Sequence, residues 1–106
     1  MAIRFYPPII CCHVAAEFLY GQILSKVPSP TLLRAQEFLD SFEMLAPDRS
    51  TAAVYARIRA SLKGEGYTLP DPDYWIAAHS LEEQIPLLST DTHFTRVPDL
   101  DLHLVS

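Results

Sequence analysis

The 106-residue chain has only two cysteines, and they are adjacent, Cys11 and Cys12. Neighbouring cysteines rarely bridge, and no third thiol offers a partner, so a disulfide framework is excluded. The pair lacks the Cys-X-X-Cys spacing of a redox motif. Its apolar setting, Ile9 to Val14, reads as buried thiols in a reducing compartment, which points to the cytoplasm. No apolar run approaches the length of a membrane span. The N-terminus has one positive residue, Arg4, followed by Pro7 and Pro8, and fits neither a signal peptide nor a transit sequence. Positive charge is scarce: eight Lys and Arg stand against thirteen Asp and Glu, a net charge of −5. Such a surface does not attract nucleic acid everywhere. A local strip of Arg49, Arg57, Arg59 and Lys63 reads first as a solvated helix face and second as an RNA contact. No lysine follows Lys63, which sets aside a phosphoacceptor receiver domain. Repeats, low-complexity segments and interdomain linkers are also lacking, so residues 1–106 read as a single domain with a modest core.

What is present alternates between strand and helix. Residues 9–13 form a short apolar run of the kind found in buried parallel strands. A helix is expected from Val14 to Lys26. A second should start at Ser29-Pro30-Thr31, capped by Ser29 or Thr31, and reach Phe42. Glu43 to Ala46 is a weak strand. Asp48 or Ser50 should cap a third helix, which stops at Gly64 and Gly66. The stretch 64–71 spans about 26 Å when extended, enough to return along the helix just finished. A fourth helix should begin at Asp71 as cap and Pro72 as first residue. A strand at 86–89, a turn or short helix at 91–95 and a strand at 101–105 complete an α/β pattern with a small parallel sheet.

Three acids stand out in this frame. Asp73 opens the fourth helix, and Asp91 directly follows the 86–89 strand. A helix joined to a strand by a short link runs antiparallel to it, so both carboxylates should meet at the carboxyl edge of the sheet, where open α/β sheets place ligands. Glu17, four residues past the 9–13 strand and expected in the first helical turn, should reach the same edge and gain from the helix macrodipole. Converging carboxylates repel unless a cation lies between them, which suggests a divalent metal. Taken singly, each acid reads as helix capping. Asp71 competes with Asp73, but the cap role suits Asp71. Ser89 either orients a ligand or satisfies the strand-end backbone. His13, His79, His93 and His103 have no zinc spacing; His93, beside Asp91, is placed to line a cleft. Trp75 and Tyr74 read as core, with RNA stacking as the alternative.

These residues resemble the PIN domain, and within it the toxin ribonucleases of VapC type. Val14-Ala15-Ala16-Glu17-Phe18-Leu19-Tyr20-Gly21 looks like the family's second acidic motif. Asp73-Tyr74-Trp75-Ile76-Ala77-Ala78-His79-Ser80 looks like the third, and Leu87-Leu88-Ser89-Thr90-Asp91-Thr92-His93-Phe94 like the fourth. The resemblance runs from about Ile9 to the end. It implies a PIN-like three-layer α/β/α fold and a metal-dependent endoribonuclease. Glu17, Asp73 and Asp91 would be the ligands of Mg²⁺ or Mn²⁺, and Ser89 would assist. The implied partners are an RNA substrate, a VapB-like antitoxin protein and a second copy, with no membrane. The family's first motif, a strand ending in Asp-Thr-Asn, has no counterpart in Met1 to Pro8, which holds no acidic residue. A strand-plus-helix unit of roughly 25 residues is absent, so the chain reads as a truncated or degenerate copy. Activity should then be weak or lost. A non-catalytic PIN-like module that binds a partner is the competing expectation. The gap left by the first strand must close by re-pairing, by exchange between subunits, or by use of Met1 to Tyr6.

Overall fold

Three residues separate the first two strands, and that short link decides the sheet. The computed structural model describes residues 2–5 and 9–105, with side chains from residue 9 onward. Strand β1 (Ala2–Phe5) pairs antiparallel with β2 (Ile9–Cys11), Phe5 opposite Ile9. A parallel neighbour would need a crossover of a dozen or more residues, and only a hairpin fits this spacing. On its other side β1 pairs antiparallel with β4 (Leu87–Ser89), Ala2 opposite Ser89 and Phe5 opposite Leu87. Strand β3 (Glu43–Leu45) joins β2 in parallel, and β5 (Leu102–Leu104) joins β4 in parallel. The order is β3-β2-β1-β4-β5. The expected small parallel sheet is therefore present as two parallel pairs around an antiparallel centre. Of the three closures open to the gap, the one seen uses the leading residues: β1 lies between β2 and β4, which do not pair directly. Both are antiparallel to β1, so they point the same way and their carboxyl ends share one edge.

Four helices complete the three-layer α/β/α arrangement. Helix α1 (Cys12–Leu24) starts straight off β2, two residues earlier than the apolar spacing suggests, with extended Cys11 as its cap. Helix α2 (Ser29–Asp40) is preceded by Pro28, not capped by Ser29 or Thr31. The Pro28 carbonyl accepts from the Thr31 and Leu32 N–H groups at 2.9 and 3.1 Å, doing from the backbone what a side chain was expected to do. Helix α3 (Arg49–Gly64) has the expected Asp48 cap in reciprocal form. Thr51 N–H donates to Asp48 Oδ1 at 3.0 Å, and Asp48 N–H donates to Thr51 Oγ1 at 3.1 Å. Two orphan donors are thus satisfied together. Gly66, at φ 82°, lets the chain turn after the helix.

Helix α4 (Asp71–Glu83) lies antiparallel to α3. Thr51, near the start of α3, donates to Glu82 near the end of α4 at 2.6 Å, while Arg59 meets Asp71. The 64–71 stretch therefore bridges neighbouring helix ends and does not travel back along α3. Helix packing chose this route because α3 and α4 bury Ile58, Leu62, Ile76 and Ala77 in one core with Leu87 and Phe94. Each large apolar side chain buried there contributes about 1.5–3 kcal/mol. Cys11 is fully buried, and burial pushes its thiol pKa up to about 11, which keeps it an inert packing group.

Candidate active site

The first turn of α4 carries two acids, Asp71 and Asp73, and the fold sends them in different directions. Pro70 precedes the helix at φ −54° and its carbonyl accepts from Asp73 N–H at 2.9 Å, so Asp71 is not the cap. Its carboxylate instead accepts from the Tyr55 hydroxyl and meets Arg59 at 3.4 Å, on the exposed α3 side. Asp73 points the other way and retains 14% side-chain exposure. Its Oδ2 lies 2.7 Å from Nε2 of His93, in the 3₁₀ turn Thr92–Arg96. The imidazole thus lies directly against the carboxylate and favours its charged form.

The Asp73 carboxyl pKa is raised, first by burial. The charge of Asp91 pushes it the same way, and His93 opposes both. The charge of Asp91, just past the carboxyl end of β4, is therefore near enough to act on Asp73. Ser89 is fully buried, and its hydroxyl accepts from Asp91 N–H at 3.0 Å. The strand-end hydroxyl thus orders the backbone that presents Asp91.

Glu17 is placed differently. Because α1 begins at Cys12, Glu17 is its sixth residue, and the first turn of α1 holds no acid. It stands about 7.5 Å along the axis from the helix start, beyond the strongest macrodipole field. It is exposed and acts on His13, whose pKa its charge tends to raise. Among the described residues, no group of three or more His, Cys, Asp and Glu is disposed to hold a metal. The donors brought together are two hard carboxylates, which suit a Mg²⁺ or Mn²⁺ ion that keeps most of its water. Asp73 and Asp91 fit that ion; a three-acid cage is not formed.

The opposite stripe of α4 has another character. Trp75 is not core: half-buried, it lies between His13, parallel at 5.8 Å, and Tyr55, stacked at 4.3 Å. Tyr74 is core, and its hydroxyl accepts from the buried Leu69 N–H at 2.9 Å. His79 is buried, and its Nε2 has no hydrogen-bond partner among the described residues. Burial lowers its pKa, and nearby His13 lowers it further. His103 is exposed and pairs with Asp101 at 2.9 Å. Of the basic strip, Arg59 is engaged by Asp71 and Tyr55. The His93 contact was foreshadowed in sequence only by its position two residues after Asp91. Nothing in the sequence pattern pointed to the His13–Trp75–Tyr55 stack.

The family model of the PIN domain matches residues 2–100, β1 included. This chain belongs to the PIN domain family. Its likeness within the PIN family is to VapC proteins. It is 31% identical over 83 residues to Ribonuclease VapC2 of Haemophilus influenzae, covering 77% of this chain and 63% of that protein. A Ribonuclease VapC from a second Haemophilus influenzae strain matches to the same extent. This PIN domain thus spans less than two thirds of those curated relatives. The DNA-bound VapBC of Salmonella typhimurium superposes with a TM-score of 0.82 at 25% identity, covering 90% of this chain and 73% of that one. VapBC2 of Rickettsia felis, bound to a DNA fragment from its promoter, gives 0.79 at 26% identity, over 92% and 74%.

Proposed function

We propose that this PIN domain is a divalent-metal-dependent endoribonuclease of the VapC toxin kind, with Asp73 and Asp91 as the groups that hold Mg²⁺ or Mn²⁺. What supports the reading is the enclosed Asp73 carboxylate at the start of α4 with Asp91 close to it just past the carboxyl end of β4. When bound, the ion would polarise the RNA phosphate and supply an activated water. The protein's own part is to fix the two carboxylates. Helix α4 sets Asp73, and the Ser89 hydroxyl holds the Asp91 backbone. Glu17, on the second turn of α1, is the third acid of the proposed set and would act through water at longer range. The test is RNA cleavage with and without Mn²⁺. Weak Mn²⁺-dependent cleavage, lost in Asp73→Asn and strengthened when a leading strand ending in Asp is added, supports the reading. Cleavage indifferent to Asp73→Asn overturns it.

The competing reading, a non-catalytic PIN-like module, is favoured by one observation. The central slot is filled by Ala2–Phe5, a segment without an acid. The similarity to VapBC complexes supports an antitoxin protein of VapB kind as partner under either reading. No helix among the described residues is long and apolar enough to cross a membrane. Helices α1 and α2 expose Tyr20, Ile23, Leu24, Leu33 and Phe38. Such a face supports a homodimer through residues 14–42. Sedimentation equilibrium at micromolar concentration checks it; a clean monomer rejects it.

A further inference from the structure

We propose that His93 is a latch on Asp73, so that its imidazole and a divalent cation exclude each other from the same carboxylate. This rests on the metal reading above and deepens it. The Asp73 carboxylate is 14% exposed, whereas the imidazole against it is 36% exposed. A cation arriving from solvent meets the imidazole first. It would require a carboxylate oxygen at about 2.0–2.1 Å. Oδ2 already has His93 Nε2 at 2.7 Å. A ring N–H and a cation both bring positive charge to that oxygen, and both cannot keep close contact with it.

The contact has the marks of a displaceable one. Nε2 meets Oδ2 at 2.7 Å from a side chain that is itself 36% exposed, so the imidazole has solvent to move into when it leaves. His93 stands on a five-residue 3₁₀ turn, a short element with poorer hydrogen-bond geometry than an α-helix. Its neighbour Phe94 is fully buried and anchors the turn, with its ring centroid 4.8 Å from the imidazole. The anchor stays while the imidazole swings. The same turn follows directly on Asp91, so His93 sits two residues from the second acid. In the cation-free protein the latch partly offsets the repulsion between Asp73 and Asp91, the role a cation takes over on binding.

Two measurements on the full chain near neutral pH test the latch without reference to activity. Mn²⁺ affinity is read by electron paramagnetic resonance for the wild type, His93→Ala, His93→Gln and Asp73→Asn. Loss of a polar contact of this exposure should tighten Mn²⁺ binding in His93→Ala by roughly two- to five-fold. Asp73→Asn should abolish it. Histidine side-chain NMR during Mg²⁺ titration should show the His93 ring leaving its Asp73-bound environment as the ion binds. Weaker binding in His93→Ala would make His93 a ligand or a support for the carboxylate, and the latch fails. Equal binding in both, with an unmoved His93 signal, also rejects the latch and leaves the metal reading standing. If neither the folded wild type nor folded His93→Ala binds Mn²⁺ at millimolar concentration, the metal reading itself falls and the latch with it.

Discussion

Asp71 and Asp73 are two residues apart in the first turn of one helix, yet they occupy two different regions. On the α3 side, Asp71 is 61% exposed and shares a loose surface network with Arg59 and Tyr55. On the side of the 3₁₀ turn, Asp73 is mostly enclosed, lies against His93 and feels the charge of Asp91. The residue type, the helix end and the macrodipole are shared. What differs is water. An exposed carboxylate next to a guanidinium is screened and adds little. An enclosed carboxylate next to another feels both desolvation and repulsion, which is the condition that makes a group available for chemistry.

The contrast depends on the enclosed side being rigid, and removing its floor should break it most severely. Phe94 is fully buried beneath His93. Phe94→Ala should cost about 3–5 kcal/mol in urea unfolding. A loss below 1 kcal/mol, on the order of a surface change, would show that the turn is not anchored. Next to Asp73 on the helix, Tyr74 is buried, and its hydroxyl takes the Leu69 N–H. Tyr74→Phe leaves that donor unsatisfied and should cost about 1–3 kcal/mol, with little change in the Asp73–His93 contact.

Acid should sharpen the comparison along the stripe that continues from Asp71 to His79. The folded pKa of His79 lies below its ordinary 6.5, mainly through burial. The unfolded chain therefore takes the proton first. The stability this represents is present above pH 6.5 and is lost as pH falls toward the folded value. His13 is shifted in the same direction. Each such histidine contributes a slope of at most about 1.4 kcal/mol per pH unit, and His79→Gln should flatten the measured profile below neutrality by up to that amount. An unchanged profile would place the acid sensitivity elsewhere.

The two aspartates themselves give the smallest changes in stability, with different signatures. The folded pKa of Asp73 is raised above 3.8, so its contribution is full below that value and is lost as pH rises through the folded one. Asp73→Asn should not show that loss, so it should gain on the wild type toward neutral pH in paired urea titrations. Asp71→Asn removes a screened surface carboxylate, so it should change stability little, and any change should vanish with added salt. Equal behaviour of the two variants would remove the distinction drawn between the regions.

Much of the framework was legible in the chain. Apolar spacing and turn residues located four helices and the outer strands to within about two or three residues. The Asp48 cap could be read because its partner, Thr51, lies three residues away. The convergence of Asp73 and Asp91 could be argued because a short helix–strand link leaves one direction open. These are local or nearest-neighbour constraints, and the sequence by itself determined them. It did not determine which way β1 would run, since that depends on which partners have open edges. It did not show that Pro28 and Pro70 precede their helices where polar caps were expected, because backbone carbonyls met the need. It misplaced Glu17 by part of a turn, because α1 continues directly from β2 and brings His13 against Trp75. The pairing of His93 with Asp73 joins residues twenty positions apart and was decided by the tertiary structure alone. Local spacing carries no information about distances across the fold, and it is those distances, with the burial they impose, that make one of two neighbouring aspartates a surface charge and the other a candidate for chemistry.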